Sequence, residues 1–168
     1  HILARRQRQM CIRDSLREVI AAANILAEDF GVQADVWSCP SFNELKRDGD
    51  DCVRWNLMHP DQKPRIPHVT ACLEKHSGPV VAATDYVKLF ADQIRAYVGR
   101  NFHVLGTDGF GRSDTRASRR RHFEVNRCYV TVAALKTLAD EGTIPAKTVK
   151  SAIRKYQLDP DKPNPLNV

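Results

Sequence analysis

The chain has 168 residues, 42% of them hydrophobic and 27% charged, with a formal net charge of +6. That length is the prior for a single domain with a core of its own. No apolar run approaches the ~20 residues of a membrane span, and no signal-peptide pattern opens the chain, so no membrane partner and a cytoplasmic location are expected.

Residues 1–14 show no period that fits a helix or a strand. They carry Arg5, Arg6, Arg8 and Arg13 against Asp14 alone. They read as a non-native or misread leader joined to a domain covering 15–168. From Ser15 the pattern sharpens: Leu16, Val19, Ile20, Ala23, Leu26 and Phe30 recur at helical spacing. Ser15 and Glu18 have the spacing of a capping box, and Gly31 is a stop, which predicts a helix over 15–30. Val32 to Ser38 alternates as a strand, ended by Pro40. Ser41 caps a second helix over 42–57, with Asp48-Gly49-Asp50-Asp51 expected to interrupt it. Pro60, Pro64 and Pro67 make 59–68 an extended loop.

A short helical turn is expected at 69–74 and a buried strand at 79–84. Asp85 is placed to cap a helix over 86–98, stopped by Gly99. Phe102 to Leu105 is the next strand. Behind it comes Gly106-Thr107-Asp108-Gly109-Phe110-Gly111-Arg112-Ser113-Asp114, a tight polar turn. Its spacing is neither G-x-G-x-x-G nor the P-loop, so the usual phosphate-binding warrant is missing. A short helix is expected at 119–124, longer ones at 127–141 and 146–156, and an irregular tail after Leu158. Strands alternating with helices in this way predict an α/β/α sandwich around a mostly parallel sheet.

Candidate chemistry is sparse. The five cysteines, Cys11, Cys39, Cys52, Cys72 and Cys128, are scattered and form no C-x-x-C pair, so they read as reduced, packed thiols. No two of the six histidines lie at i, i+3 or i, i+4. His103, inside a strand, reads as an edge or satisfied histidine. A second positive cluster, Arg112 to Arg127, holds one aromatic residue, Phe123, and lacks the interleaved aromatics of a stacking platform. It therefore suits a solvated or protein-contacting loop better than nucleic acid. Around the glycines, Asp108, Gly109, Phe110, Gly111, Arg112 and Asp114 are the site candidates. They either fix the turn by ion pairs or contact a partner subunit. A stand-alone anion- or nucleotide-binding module using the backbone amides of 106–111 is the alternative.

Several ordered motifs carry a family resemblance. They are Ala34-Asp35-Val36-Trp37-Ser38, Ser41-Phe42-Asn43-Glu44-Leu45, Arg54-Trp55-Asn56, Thr84-Asp85-Tyr86, Lys88-Leu89-Phe90-Ala91, the segment Leu105 to Asp114, and His122-Phe123-Glu124-Val125. Together they resemble the C-terminal domain of the homodimeric bacterial pyruvate dehydrogenases, the thiamine-dependent first component of that complex. The resemblance implies a transketolase-type C-terminal domain, here lacking its first strand because residues 1–14 fit neither the family's strand nor its turn. It implies a structural and dimer-contact role in an enzyme that decarboxylates pyruvate and passes acetyl to a lipoyl group. It also implies thiamine diphosphate and magnesium in the longer parent, and a second parent chain and a dihydrolipoyl acetyltransferase as partners. No position here matches the family's cofactor or catalytic residues, so neither cofactor binding nor activity is expected of this segment alone.

Overall fold

The computed structural model describes residues 6–11, 15–109, 111 and 113–167. Four strands form the sheet: β1 (Arg6–Cys11), β2 (Gln33–Ser38), β3 (Val80–Ala83) and β4 (Phe102–Leu105). Their order is β2-β1-β3-β4, and every neighbouring pair is parallel.

The expectation of a missing strand is corrected here. Arg6–Cys11 lies between β2 and β3, in register from Arg6 opposite Gln33 to Cys11 opposite Ser38. A sheet this small needs the central slot filled, because β2 has no other neighbour. The pairing is carried by backbone amides and carbonyls, which side-chain periodicity does not report.

Helices cover both faces, as parallel sheets require. One layer holds α1 (Ser15–Phe30), α7 (Arg127–Asp140) and α8 (Ala146–Lys155). Leu26, Val81, Ala134, Leu135, Leu138 and Ala152 form its core. The other holds α2 (Phe42–Met58), α3 (His68–Glu74), α4 (Lys88–Asp92) and α5 (Arg95–Val98). There Phe42, Val69, Leu73, Val80, Ile94 and Phe102 pack together. The helix α6 (Arg116–His122) has no buried residue and runs on the surface, and a 3-10 turn (Pro165–Asn167) ends the tail. The strand β3 is buried at every position, the burial of a central strand.

Two helix boundaries depart from expectation. Asp48-Gly49-Asp50-Asp51 does not interrupt α2, which is continuous over 17 residues. Gly49 is buried and lets the Tyr97 ring approach: a Cβ there would lie 2.4 Å from Tyr97 Cε2. The neighbouring acids also have partners, Asp50 with Lys46 and the Tyr97 hydroxyl, and Asp48 with the His68 N–H. The predicted helix over 86–98 instead splits into α4 and α5. Asp85 does not cap it, because its carboxylate accepts from Ser15 Oγ at 2.6 Å.

Candidate functional site

Both turns that follow β3 and β4 lie at the carboxyl edge of the sheet, where open α/β sheets place their sites. They are bonded to each other. Thr107 donates its N–H to Tyr86 O at 2.9 Å and its hydroxyl to Asp85 O at 2.7 Å. Asp108 Oδ1 accepts the Lys88 N–H at 2.8 Å, so the acid of one turn caps α4 from the other. The Lys88 ammonium lies 3.8 Å from the second oxygen.

Two glycines make this close approach sterically possible. A Cβ on Gly106 would stand 2.7 Å from Tyr86 O and 2.8 Å from Lys88 N. Gly109 has φ +112°, and a Cβ there would meet Pro165 O at 2.6 Å. Gly111 has neither constraint. Asp114 accepts from the Thr115 N–H at 2.6 Å just before α6. That bond holds its carboxyl below the usual range, with help from Ser118. Phe110 and Arg112 lie outside the described residues.

Beneath the turn, Glu18 of α1 is 6% exposed and carries a charge. Its Oε2 accepts the Arg127 N–H at 2.9 Å and Arg127 Nε at 3.0 Å. Its Oε1 accepts Arg127 Nη2 at 3.0 Å and Arg120 Nη1 at 3.2 Å. The Arg127 hydrogen bond is the main cause holding this carboxyl below its ordinary value, against the cost of burial. The acid also faces the N-terminus of α7, where the helix dipole favours it. This arrangement replaces the expected capping box of Ser15 and Glu18. Both side chains bond to residues far along the chain, which local spacing cannot reveal.

A cleft of about 390 Å³ opens beside the turn, lined by Asp85, Thr107, Gly109, Arg116, Arg119 and Arg120 among others. Its cationic wall is compensated in part, since Arg120 already serves Glu18. On the far side, Lys162 of the tail donates to the carbonyls of Arg121, at 3.2 Å, and of His122, at the end of α6. The tail thus holds the end of α6 and passes close to the glycine turn at Pro165. The sequence named Glu18 only as half of a capping box and Gly106 only as part of the glycine run, and it missed Lys162. Glu18 stands next to the apolar Val19 on a core-facing helix, the signal that could have found its burial.

Other candidates fall elsewhere. Cys39 is buried, and burial pushes its thiol up to about 11. His103 is exposed on β4, an edge strand. Among the described residues, no three His, Cys, Asp or Glu side chains are grouped to hold a metal, and no helix is long and apolar enough to cross a membrane.

The transketolase-like TK C-terminal domain family matches residues 14–126. The chain is 59% identical over 152 residues to the pyruvate dehydrogenase E1 component of Cupriavidus necator, covering 90% of the chain and 17% of that protein. It is 57% identical over 153 residues to the Pseudomonas aeruginosa protein of that name, and 54% identical over 151 to that of Escherichia coli K12. These matches cover 90% and 89% of the chain, and again 17% of each relative. The chain thus spans about a sixth of the length of these curated relatives. Among solved structures, a split-gene transketolase described as an inactive beta4 tetramer superposes with a TM-score of 0.55 at 15% identity. The overlap covers 81% of this chain and 40% of that one and speaks for the fold alone. With its parallel sheet, its two helical layers and a match over residues 14–126, the chain belongs to the transketolase-like TK C-terminal domain family.

Proposed function

We propose that residues 15–168 are the C-terminal domain of a cytoplasmic, thiamine-dependent pyruvate dehydrogenase that decarboxylates pyruvate and transfers acetyl to a lipoyl group. The observation that carries this reading is 59% identity over 90% of the chain to a protein named pyruvate dehydrogenase E1 component. Within that parent the domain has a structural and dimer-contact role. Asp108, Gly109, Gly111 and Asp114 shape the edge that its neighbours meet. The partners are a second parent chain and the dihydrolipoyl acetyltransferase.

Thiamine diphosphate, when bound, supplies an electron sink for the carbanion left by decarboxylation. No position here matches the family's magnesium or diphosphate motif, and among the described residues no three His, Cys, Asp or Glu side chains are grouped to hold a metal. The cofactor is therefore assigned to the remainder of the parent, and no chemical step is assigned to this segment. The decisive experiment is a chimera in which residues 15–168 replace the matching stretch of the Cupriavidus necator protein. Retained activity is expected, and a folded but inactive chimera would overturn the assignment. Calorimetric titration of the 168-residue chain with thiamine diphosphate and magnesium should give no saturable heat, and micromolar binding would contradict the reading.

We also propose that residues 1–14 are foreign to the family domain. The family match begins at residue 14. Central parallel strands, covered on both faces, are normally runs of Val, Ile and Leu, whereas β1 reads Arg-Gln-Arg-Gln-Met-Cys.

A further inference from the structure

On the α2 side of the sheet, α3 places two reactive side chains together. Val69 and Leu73, each 1% exposed, hold one face of α3 in the core. Thr70 donates its hydroxyl to Tyr97 O at 2.6 Å, and the His68 N–H donates to Asp48 Oδ2 at 2.6 Å. Those bonds fix the first turn of this short helix, and Arg100 Nη2 donates to Leu73 O at 3.2 Å near its other end. His68 and Cys72 stand one turn apart beside that buried stripe, with His68 Nε2 3.4 Å from Cys72 Sγ. An imidazole at that distance from a thiol is the geometry in which a base activates a sulfur nucleophile.

The remaining described thiols lack this arrangement. Cys39 and Cys52 are buried. Burial raises the pKa of both, and Asp48 and Asp51 raise that of Cys52 further. Cys128 is partly exposed, and burial is the main cause raising it as well. Cys72 is also partly exposed, but it alone among the described cysteines has a ring nitrogen beside its sulfur.

We propose that Cys72, with His68 as its base, is a thiol-modification site for soft electrophiles. His68 Nε2 takes the thiol proton as Sγ attacks the electrophilic carbon or oxygen. The new bond forms to sulfur, the leaving group departs with its electron pair, and the proton passes from the imidazole to solvent. With iodoacetamide the C–I bond breaks, iodide leaves and a thioether remains.

The test uses the 168-residue chain with limiting iodoacetamide at pH 7 and peptide mapping of each cysteine over time. Cys72 should be alkylated several-fold faster than Cys39, Cys52 or Cys128. His68→Ala should slow Cys72 at least about fivefold and leave Cys128 unchanged. Circular dichroism checks that this variant folds, and His59→Ala, remote from the sulfur, should not alter the rate. If His68→Ala unfolds, His68→Gln provides the same loss of a base with a side chain closer in size. Equal labelling of Cys72 and Cys128, or an unchanged Cys72 rate in a folded His68 variant, would overturn the proposal.

Discussion

Gly106 and Gly109 illustrate how much of the site depends on the absence of a methyl group. Each is pressed against backbone, which cannot swing aside as a side chain could. Gly106→Ala and Gly109→Ala should each lower stability in urea by about 1–3 kcal/mol, while Gly111→Ala, in open space, should be near neutral. Near-neutral effects at Gly106 and Gly109 as well would mean that the turn is relaxed. The sequence pointed to Gly109 and Gly111 and passed over Gly106, because three glycines in one run look alike until the opposing chain is placed. Glu18 has a different signature. Its folded-state pKa is depressed by Arg127, so its contribution is present above the unfolded value of about 4.3 and is lost as pH falls through the folded value. Glu18→Gln should therefore cost about 1–3 kcal/mol at pH 7 and flatten the fall in stability below about pH 4.5. An acid limb as steep as in the parent chain would show that Glu18 is not a source of it.

Elements whose signal is local were legible in the chain: α1 and α7 came from apolar spacing, β4 from a short apolar run, and Gly31 marked the end of α1. Elements settled by tertiary packing were not. The helix α2 survives its Asp-Gly-Asp-Asp segment because Gly49 seats Tyr97, and that ring lies 48 positions further on. Removing glycine from a helix interior normally gains about 1 kcal/mol, but here the clash decides the sign. Gly49→Ala should destabilise by about 1–2 kcal/mol in the parent chain and become stabilising in a Tyr97→Ala background. A stabilising Gly49→Ala in the parent chain would show that the ring gives way without cost. The strand β1 is the opposite case, in which topology demands a strand and the residues supply poor material for it. Replacing Arg6, Gln7, Arg8 and Gln9 by Val should raise stability by at least about 1 kcal/mol. A loss would show that the polar run is suited to its place.

At the scale of the whole molecule, large apolar side chains stand exposed in two stretches. Leu57, Met58, Val53 and Ile66 are exposed around the end of α2, and Tyr86, Val87, Leu89 and Phe90 are exposed at α4. The second group adjoins the carboxyl edge of the sheet, beside the Asp108 contact with Lys88. Patches of this kind on a chain that spans a sixth of its relatives suit surfaces that other parts of a longer protein cover. Among the described residues no further strand pairs with the outer edges of β2 and β4, which add strand-pairing sites. The 168-residue chain should therefore self-associate at micromolar concentration despite its charge of +6, and do so undiminished in high salt, because apolar contact is not screened. Leu57 and Leu89, at 76% and 74%, are the most exposed of these side chains. Leu57→Glu with Leu89→Glu should accordingly shift light scattering toward monomer without lowering the thermal midpoint. A monomer at every ionic strength would refute the covered-surface argument. Dissociation by salt alone would assign the contact to the arginines around α6 instead.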